Sequence, residues 1–96
     1  MIVLGIDPGT AIMGYGVIEY KGSKHLPLAY GVLRTNKEDS MADRLKYLYN
    51  GINQLIDTYQ PDAITGEELF FNQNVTTALT VGQARGIVLL AAGLHN

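Results

Sequence analysis

The chain opens on an aliphatic run, Ile2, Val3, Leu4 and Ile6, closed at once by Asp7-Pro8-Gly9. A short continuous apolar run ended by a turn reads as a fully buried strand over residues 2–7. Gly14 to Tyr20 reads as a second strand, with Tyr15, Val17 and Glu19 on one face and Gly16, Ile18 and Tyr20 on the other. Lys21-Gly22-Ser23-Lys24 is a polar turn, and Leu26 to Arg34 is a third strand whose early Pro27 marks an edge or an entry point. Connections this short predict an antiparallel meander. After a loop from Asn36 to Asp39, Ser40 opens a helix with Asp43 as a capping-box-like partner. Met41, Leu45, Leu48, Ile52, Leu55 and Tyr59 recur at spacings of three and four, which gives that helix one apolar face. Gln60-Pro61-Asp62 ends it. Ala63 to Leu69 is a short strand reached by a helical crossover, and so is expected to run parallel to the first. Asn72-Gln73-Asn74 breaks the pattern, and a second helix runs from about Val75 to Leu94. Its C-terminal half is apolar all round, which predicts burial in its own domain or in a partner.

The order β-β-β-α-β-α predicts an α/β sheet with helices packed against it. At 96 residues the chain makes one small domain, and its 47% hydrophobic content is enough for a core. With no cysteine, a disulfide scaffold and thiolate metal sites are excluded, and a cytoplasmic location is expected. Met1 runs straight into a strand without a leader, and the longest apolar stretch, Gly86 to Leu94, is too short to span a bilayer, so no membrane association is expected. The formal net charge of −2 is not that of an overtly basic nucleic-acid binder. The charge is uneven: all nine acidic residues lie at or before Glu68, and beyond it Arg85 is the single formally charged side chain.

Asp7 is the first candidate for chemistry. A carboxylate taken out of water costs several kcal/mol unless something compensates it. Asp7 is therefore expected to hold a metal, a phosphate through that metal, or a local backbone N–H; the plainer alternative is a cap of the Pro8-Gly9 turn. Glu67 and Glu68 stand near the end of the fourth strand, and alternation lets only one of them share a face with Asp7 without saying which. Two carboxylates on adjacent strands, roughly 5 Å apart, repel unless a cation bridges them. An all-oxygen donor set suits Mg²⁺ or Mn²⁺. Two exposed strand-end glutamates are the bland alternative. Phe70 and Phe71, in the loop that continues through Asn74, are candidate base-stacking groups, with packing beneath the next helix as the alternative. Arg85, within Gln83-Ala84-Arg85-Gly86, is a candidate to contact phosphate or to cap a neighbour by hydrogen bonds, with a plain structural role as the alternative. Lys21, Lys24, Arg34, Lys37, Arg44 and Lys46 are scattered and read as solvated, and neither His25 nor His95 reads as a catalytic base.

Gly5-Ile6-Asp7-Pro8-Gly9-Thr10 followed by Gly14-Tyr15-Gly16-Val17 resembles the start of RuvC-type Holliday junction resolvases. Glu67-Glu68-Leu69-Phe70-Phe71-Asn72-Gln73-Asn74, then Gly82-Gln83-Ala84-Arg85-Gly86, resembles their second block. The resemblance covers the whole chain and implies an RNase H-like fold. It also implies a homodimer that resolves four-way DNA junctions by paired symmetric nicks, using two Mg²⁺ (or Mn²⁺) ions held by four carboxylates, in DNA recombination and repair alongside a branch-migration helicase. It makes Asp7 the first carboxylate and Glu67, rather than Glu68, the second. It makes Phe70 a junction contact, with Phe71, Asn74 and Arg85 as further DNA-binding candidates, and it puts the second helix near the dimer interface.

Two departures stand out. The family's other two carboxylates lie on a later helix, and no acidic residue follows Glu68 here. Gly66 stands where the family carries a large aliphatic residue. Residues 1–96 are thus expected to be the N-terminal part of one RNase H-like nuclease domain, without its final strand and helices and inactive alone. The competing readings are a Mg-phosphate-binding module of the actin/sugar-kinase type, a related nuclease acting on ribosomal RNA precursors, and a non-catalytic dimerising fragment.

Overall fold

The computed structural model describes residues 1–66 and 75–95, with side chains throughout except at 75–80. Strands β1 (Ile2–Asp7), β2 (Ile12–Lys21), β3 (Lys24–Arg34) and β4 (Ala63–Gly66) form one sheet in the order β3-β2-β1-β4. Helix α1 (Met41–Tyr59) connects β3 to β4, and α2 (Val75–Leu94) follows. The first three strands are the expected antiparallel meander, and β4 pairs with β1 in parallel through the α1 crossover. Both strands of the meander's hairpin exceed their sequence boundaries, because Ile12 pairs with Arg34 at one end and Lys21 with Lys24 at the other. Pro27 lies on the edge strand, beside an irregularity in register at Val17/Ile18.

One face of the sheet carries the core. Leu4 and Ile6 of β1 and Met13 and Val17 of β2 pack with Leu48, Ile52 and Ile56 of α1 and with Ala84, Val88 and Ala91 of α2. Both helices therefore cover the same face. The alternation of β1 and β2 sends Val3, Gly5 and Asp7, with Gly14, Gly16 and Ile18 opposite them, to the other face. No helix among the described residues covers that side, where Tyr30 is 87% exposed and Val32 46%. Helix α1 approaches the sheet so closely at Gly51 that a Cβ there would meet Leu33 Cδ1 at 2.8 Å.

The ends of α1 follow the sequence signals. Ser40 Oγ accepts from the Asp43 N–H at 3.1 Å, which satisfies one of the helix's free N-terminal donors. Gln60 closes the other end in the left-handed region at φ 46°, with its N–H donating to the Ile56 carbonyl, and Pro61 stops the helix. Asp62 then enters β4. Its carboxylate accepts from the Ile2 N–H and its own N–H donates to the Ile2 carbonyl, both at 2.7 Å, which pins the β1–β4 pairing at that end.

Among the described side chains of α2, Ala84, Val88 and Ala91 are buried, while Leu89, Leu90 and Leu94 are 61%, 54% and 65% exposed, so its own domain covers one stripe and leaves the other to the partner alternative. The helix is apolar on both sides, but one helix and one sheet face can cover only one of them.

Candidate functional site

Asp7 is the last residue of β1 and lies opposite Gly14 of β2. It is exposed, which corrects the picture of a buried carboxylate: no buried polar or charged side chain occurs among the described residues. The apolar run before it is buried on the helix side alone, so the charge remains in water at the strand's C-terminal end. Sites in open α/β sheets gather at that end. Among the described residues no hydrogen bond or ion pair occupies its carboxylate. Gly5, Gly14 and Gly16 leave a floor without side chains beside it, within a shallow concavity of about 610 Å³ walled by Tyr30 and Val32.

The backbone after Asp7 is held on several sides. Pro8 is buried, and a Cβ on Gly9 would collide with the Ile12 carbonyl oxygen, so only glycine fits this turn. Thr35, just past β3, donates its N–H to the Ala11 carbonyl at 3.0 Å and its hydroxyl to the Thr10 carbonyl. Arg44, in the second turn of α1, donates Nε–H to the Thr35 hydroxyl oxygen at 3.0 Å. Arg44 is thus half-buried and engaged rather than solvated as its scattered position suggested. Thr35 was not singled out from sequence at all, because a lone threonine after a strand carries no pattern.

On the other side of β1, the parallel register pairs Gly5 with Thr65 and Ile6 with Gly66. A Cβ on Gly66 would meet the Ile6 carbonyl at 3.7 Å, an ordinary contact, so the pairing does not itself demand glycine at this position. Glu67, Glu68, Phe70, Phe71 and Asn74 lie outside the described residues. Arg85 is exposed on α2 next to buried Ala84 and forms no ion pair among the described residues.

Neither histidine joins Asp7. His25 packs edge-on against the Tyr20 ring, 4.5 Å between centroids, near the hairpin turn at the opposite end of the sheet. His95 Nε2 meets Asn53 Oδ1 at 2.9 Å, tying the end of α2 to α1. A second concavity of about 560 Å³, bordered by Asp57, Asp62 and His95, opens by the start of β4, also away from Asp7. No cluster of three metal-ligating side chains occurs among the described residues, and no helix among them is long and apolar enough to cross a membrane.

Residues 3–95 match the family model described as crossover junction endodeoxyribonuclease RuvC. The chain is 58% identical over 92 residues to the crossover junction endodeoxyribonuclease RuvC of Heliobacterium modesticaldum, covering 96% of itself and 57% of that relative. It is 50% identical to the protein of the same description from Alkaliphilus metalliredigens, covering 99% of itself and 58% of the relative. The chain therefore spans a little over half the length of these relatives. Among solved structures it superposes on Thermus thermophilus RuvC in complex with a Holliday junction substrate with a TM-score of 0.93 at 31% identity, covering 99% of this chain and 61% of that one. A likeness to the Aquifex aeolicus PPX-GPPA enzyme, TM-score 0.56 at 16% identity, shows a shared fold alone.

Proposed function

The chain belongs to the RuvC family of crossover junction endodeoxyribonucleases, and on that footing we propose that it carries the first half of a divalent-metal centre for phosphodiester hydrolysis at four-way DNA junctions. In this reading Asp7 and Glu67 are the two ligands contributed by residues 1–96, the N-terminal part of a single RNase H-like nuclease domain.

The β1–β4 register is the observation that carries the reading. Ile6 pairs with Gly66, so the described pairing stops one residue short of Asp7, and the alternation that sets Val3 and Gly5 beside Ala63 and Thr65 supports Glu67 over Glu68 as the partner of Asp7. Sequence alternation alone leaves that choice open, and the resemblance implies Glu67. Neighbouring strands are about 4.8 Å apart, a separation at which two carboxylates favour a shared cation. Their oxygens are hard donors, fitting Mg²⁺ or Mn²⁺. Such ions, when bound, generate a nucleophilic hydroxide from water and stabilise the leaving 3′ oxygen. Asp7, exposed and free of competing bonds among the described residues, is open to coordination, and the glycine floor beside it keeps side chains from crowding a backbone phosphate.

Phe70 and Phe71 are proposed to stack on junction bases, Asn74 to hydrogen-bond the DNA and Arg85 to contact phosphate. The exposed leucines of α2 are proposed to meet the same helix of a second copy in a homodimer, and a branch-migration helicase is the further partner in this reading. Two carboxylates are fewer than a two-ion centre needs, so the chain alone is expected to bind metal weakly and not to cut.

Mn²⁺ titration of the chain, followed by paramagnetic broadening of amide signals, tests the assignment. Asp7→Asn and Glu67→Gln should each abolish broadening around Asp7, while Glu68→Gln leaves it intact. Broadening that survives Glu67→Gln but is lost in Glu68→Gln would reverse the assignment. Efficient paired nicking of a junction by the 96-residue chain would overturn the claim that its site is incomplete.

A further inference from the structure

We propose that Thr35 and Arg44 are positioning residues for the Asp7 site, forming a hydrogen-bonded brace from α1 to the turn that follows the carboxylate. This rests on the reading that Asp7 ligates a divalent cation.

Asp7 is fixed by pairing with Gly14, but the next four residues, Pro8 to Ala11, belong to no strand. Their path sets how the end of β1 leaves the sheet, and so where the Asp7 carboxylate points. Thr35 holds two consecutive carbonyls of this turn with different donors: its N–H serves Ala11 and its hydroxyl serves Thr10. A hydroxyl has one proton, so once it is given to Thr10 the oxygen is left as an acceptor. Arg44 Nε–H fills that role at 3.0 Å. The order Arg44 → Thr35 → Thr10 is a chain of donors in one direction, in which each bond polarises the next. Arg44 is itself set by the start of α1, whose Ser40 cap fixes where the helix begins. The brace therefore links three separate segments, and it ends three residues from the carboxylate. It differs from the Gly9 contact, which imposes a shape on the turn but bonds it to nothing beyond β2.

Thr35→Val is the informative substitution, because valine matches threonine in shape but can neither donate to Thr10 nor accept from Arg44. Thr35→Ser keeps both functions. The probe is Mn²⁺ alone, read by paramagnetic broadening at the Asp7 amide, with carbonyl carbon shifts of Thr10 and Ala11 reporting the brace itself. Thr35→Val should move the Thr10 carbonyl shift and weaken Mn²⁺ binding about 10-fold, the lower end of the range for groups that orient metal ligands. Thr35→Ser should restore both. Arg44→Gln, a second variant should Thr35→Val fail to fold, should weaken binding in the same direction. Wild-type Mn²⁺ binding in a folded Thr35→Val or Arg44→Gln chain whose Thr10 carbonyl signal has moved would overturn the proposal. If Asp7→Asn also binds as the wild type does, the fault lies with the Asp7 assignment; if Asp7→Asn loses binding while the brace variants keep it, only the brace is refuted.

Discussion

Asp7 faces Gly14 across the β1–β2 pairing, and a Cβ built on Gly14 would lie 3.6 Å from the Asp7 Cβ. A methyl group is therefore tolerated there, but the branches of a larger side chain reach the carboxylate. Gly14→Val should leave stability within about 1 kcal/mol, since valine suits a strand and the outer face is open. It should nonetheless remove Mn²⁺ broadening at the Asp7 amide. Unaltered broadening in a folded Gly14→Val chain would mean that ions do not approach Asp7 from this side.

The turn after Asp7 is intolerant of any side chain at Gly9. Because the added Cβ collides with the Ile12 backbone oxygen, the backbone has to move rather than a rotamer. Gly9→Ala is expected to cost about 1–3 kcal/mol, the cost of local backbone strain. Urea denaturation measures it, and a midpoint equal to the wild type would show that the turn relaxes freely.

Leu48 and Ile52 of α1 are fully buried in the core shared with the sheet and α2. Leu48→Ala should lower stability by about 2–5 kcal/mol through lost burial and an unfilled cavity. In a domain of this size that is a large share of the total, so thermal melting should show a shift of many degrees, or no cooperative transition.

The start of α1 depends on Ser40. Ser40→Ala is expected to cost about 1 kcal/mol and Ser40→Asp very little, because aspartate caps equally well. Chemical denaturation of the pair separates loss of the cap from a general effect of substitution.

Leu89, Leu90 and Leu94 leave the outer side of α2 apolar and exposed. Unpartnered apolar faces of this kind favour association. The chain should sediment with a concentration-dependent mass, and Leu90→Glu with Leu94→Glu should return it to a monomer of undiminished thermal stability. A strictly monomeric wild type would remove α2 as a self-association surface.

Much of this architecture was legible from periodicity. Leu48 and Ile52 lie on the apolar stripe that defined α1, and Ser40 and Pro61 mark its limits as their chemistry demands. The parallel partnership of β1 and β4 followed from the length of the crossover between them. What periodicity could not supply was the side from which each apolar surface is covered. It therefore treated Asp7 as buried, because a continuous aliphatic run looks alike whether one sheet face is covered or two. For the same reason it left open whether Leu90 and Leu94 are covered by their own domain or by a partner. The choice between Glu67 and Glu68 is not legible in alternation, and both residues lie outside the described ones. Arg44 and Thr35 were invisible because their meeting joins segments that share no local pattern.

The parallel placement of β1 beside β4 also makes their pairing depend on chain made after the meander. During synthesis the β1–β2–β3 meander can pair as soon as Arg34 has emerged, so the Asp7 end of the sheet exists early. Its neighbour on the other side cannot dock until α1 has been made and has carried the chain back across the sheet. Closing that long connection is the slow, non-local event in such a topology. An ion that joins the ends of β1 and β4 would thus engage only a finished sheet, stabilising the last strand to arrive and leaving the nascent hairpin unaffected.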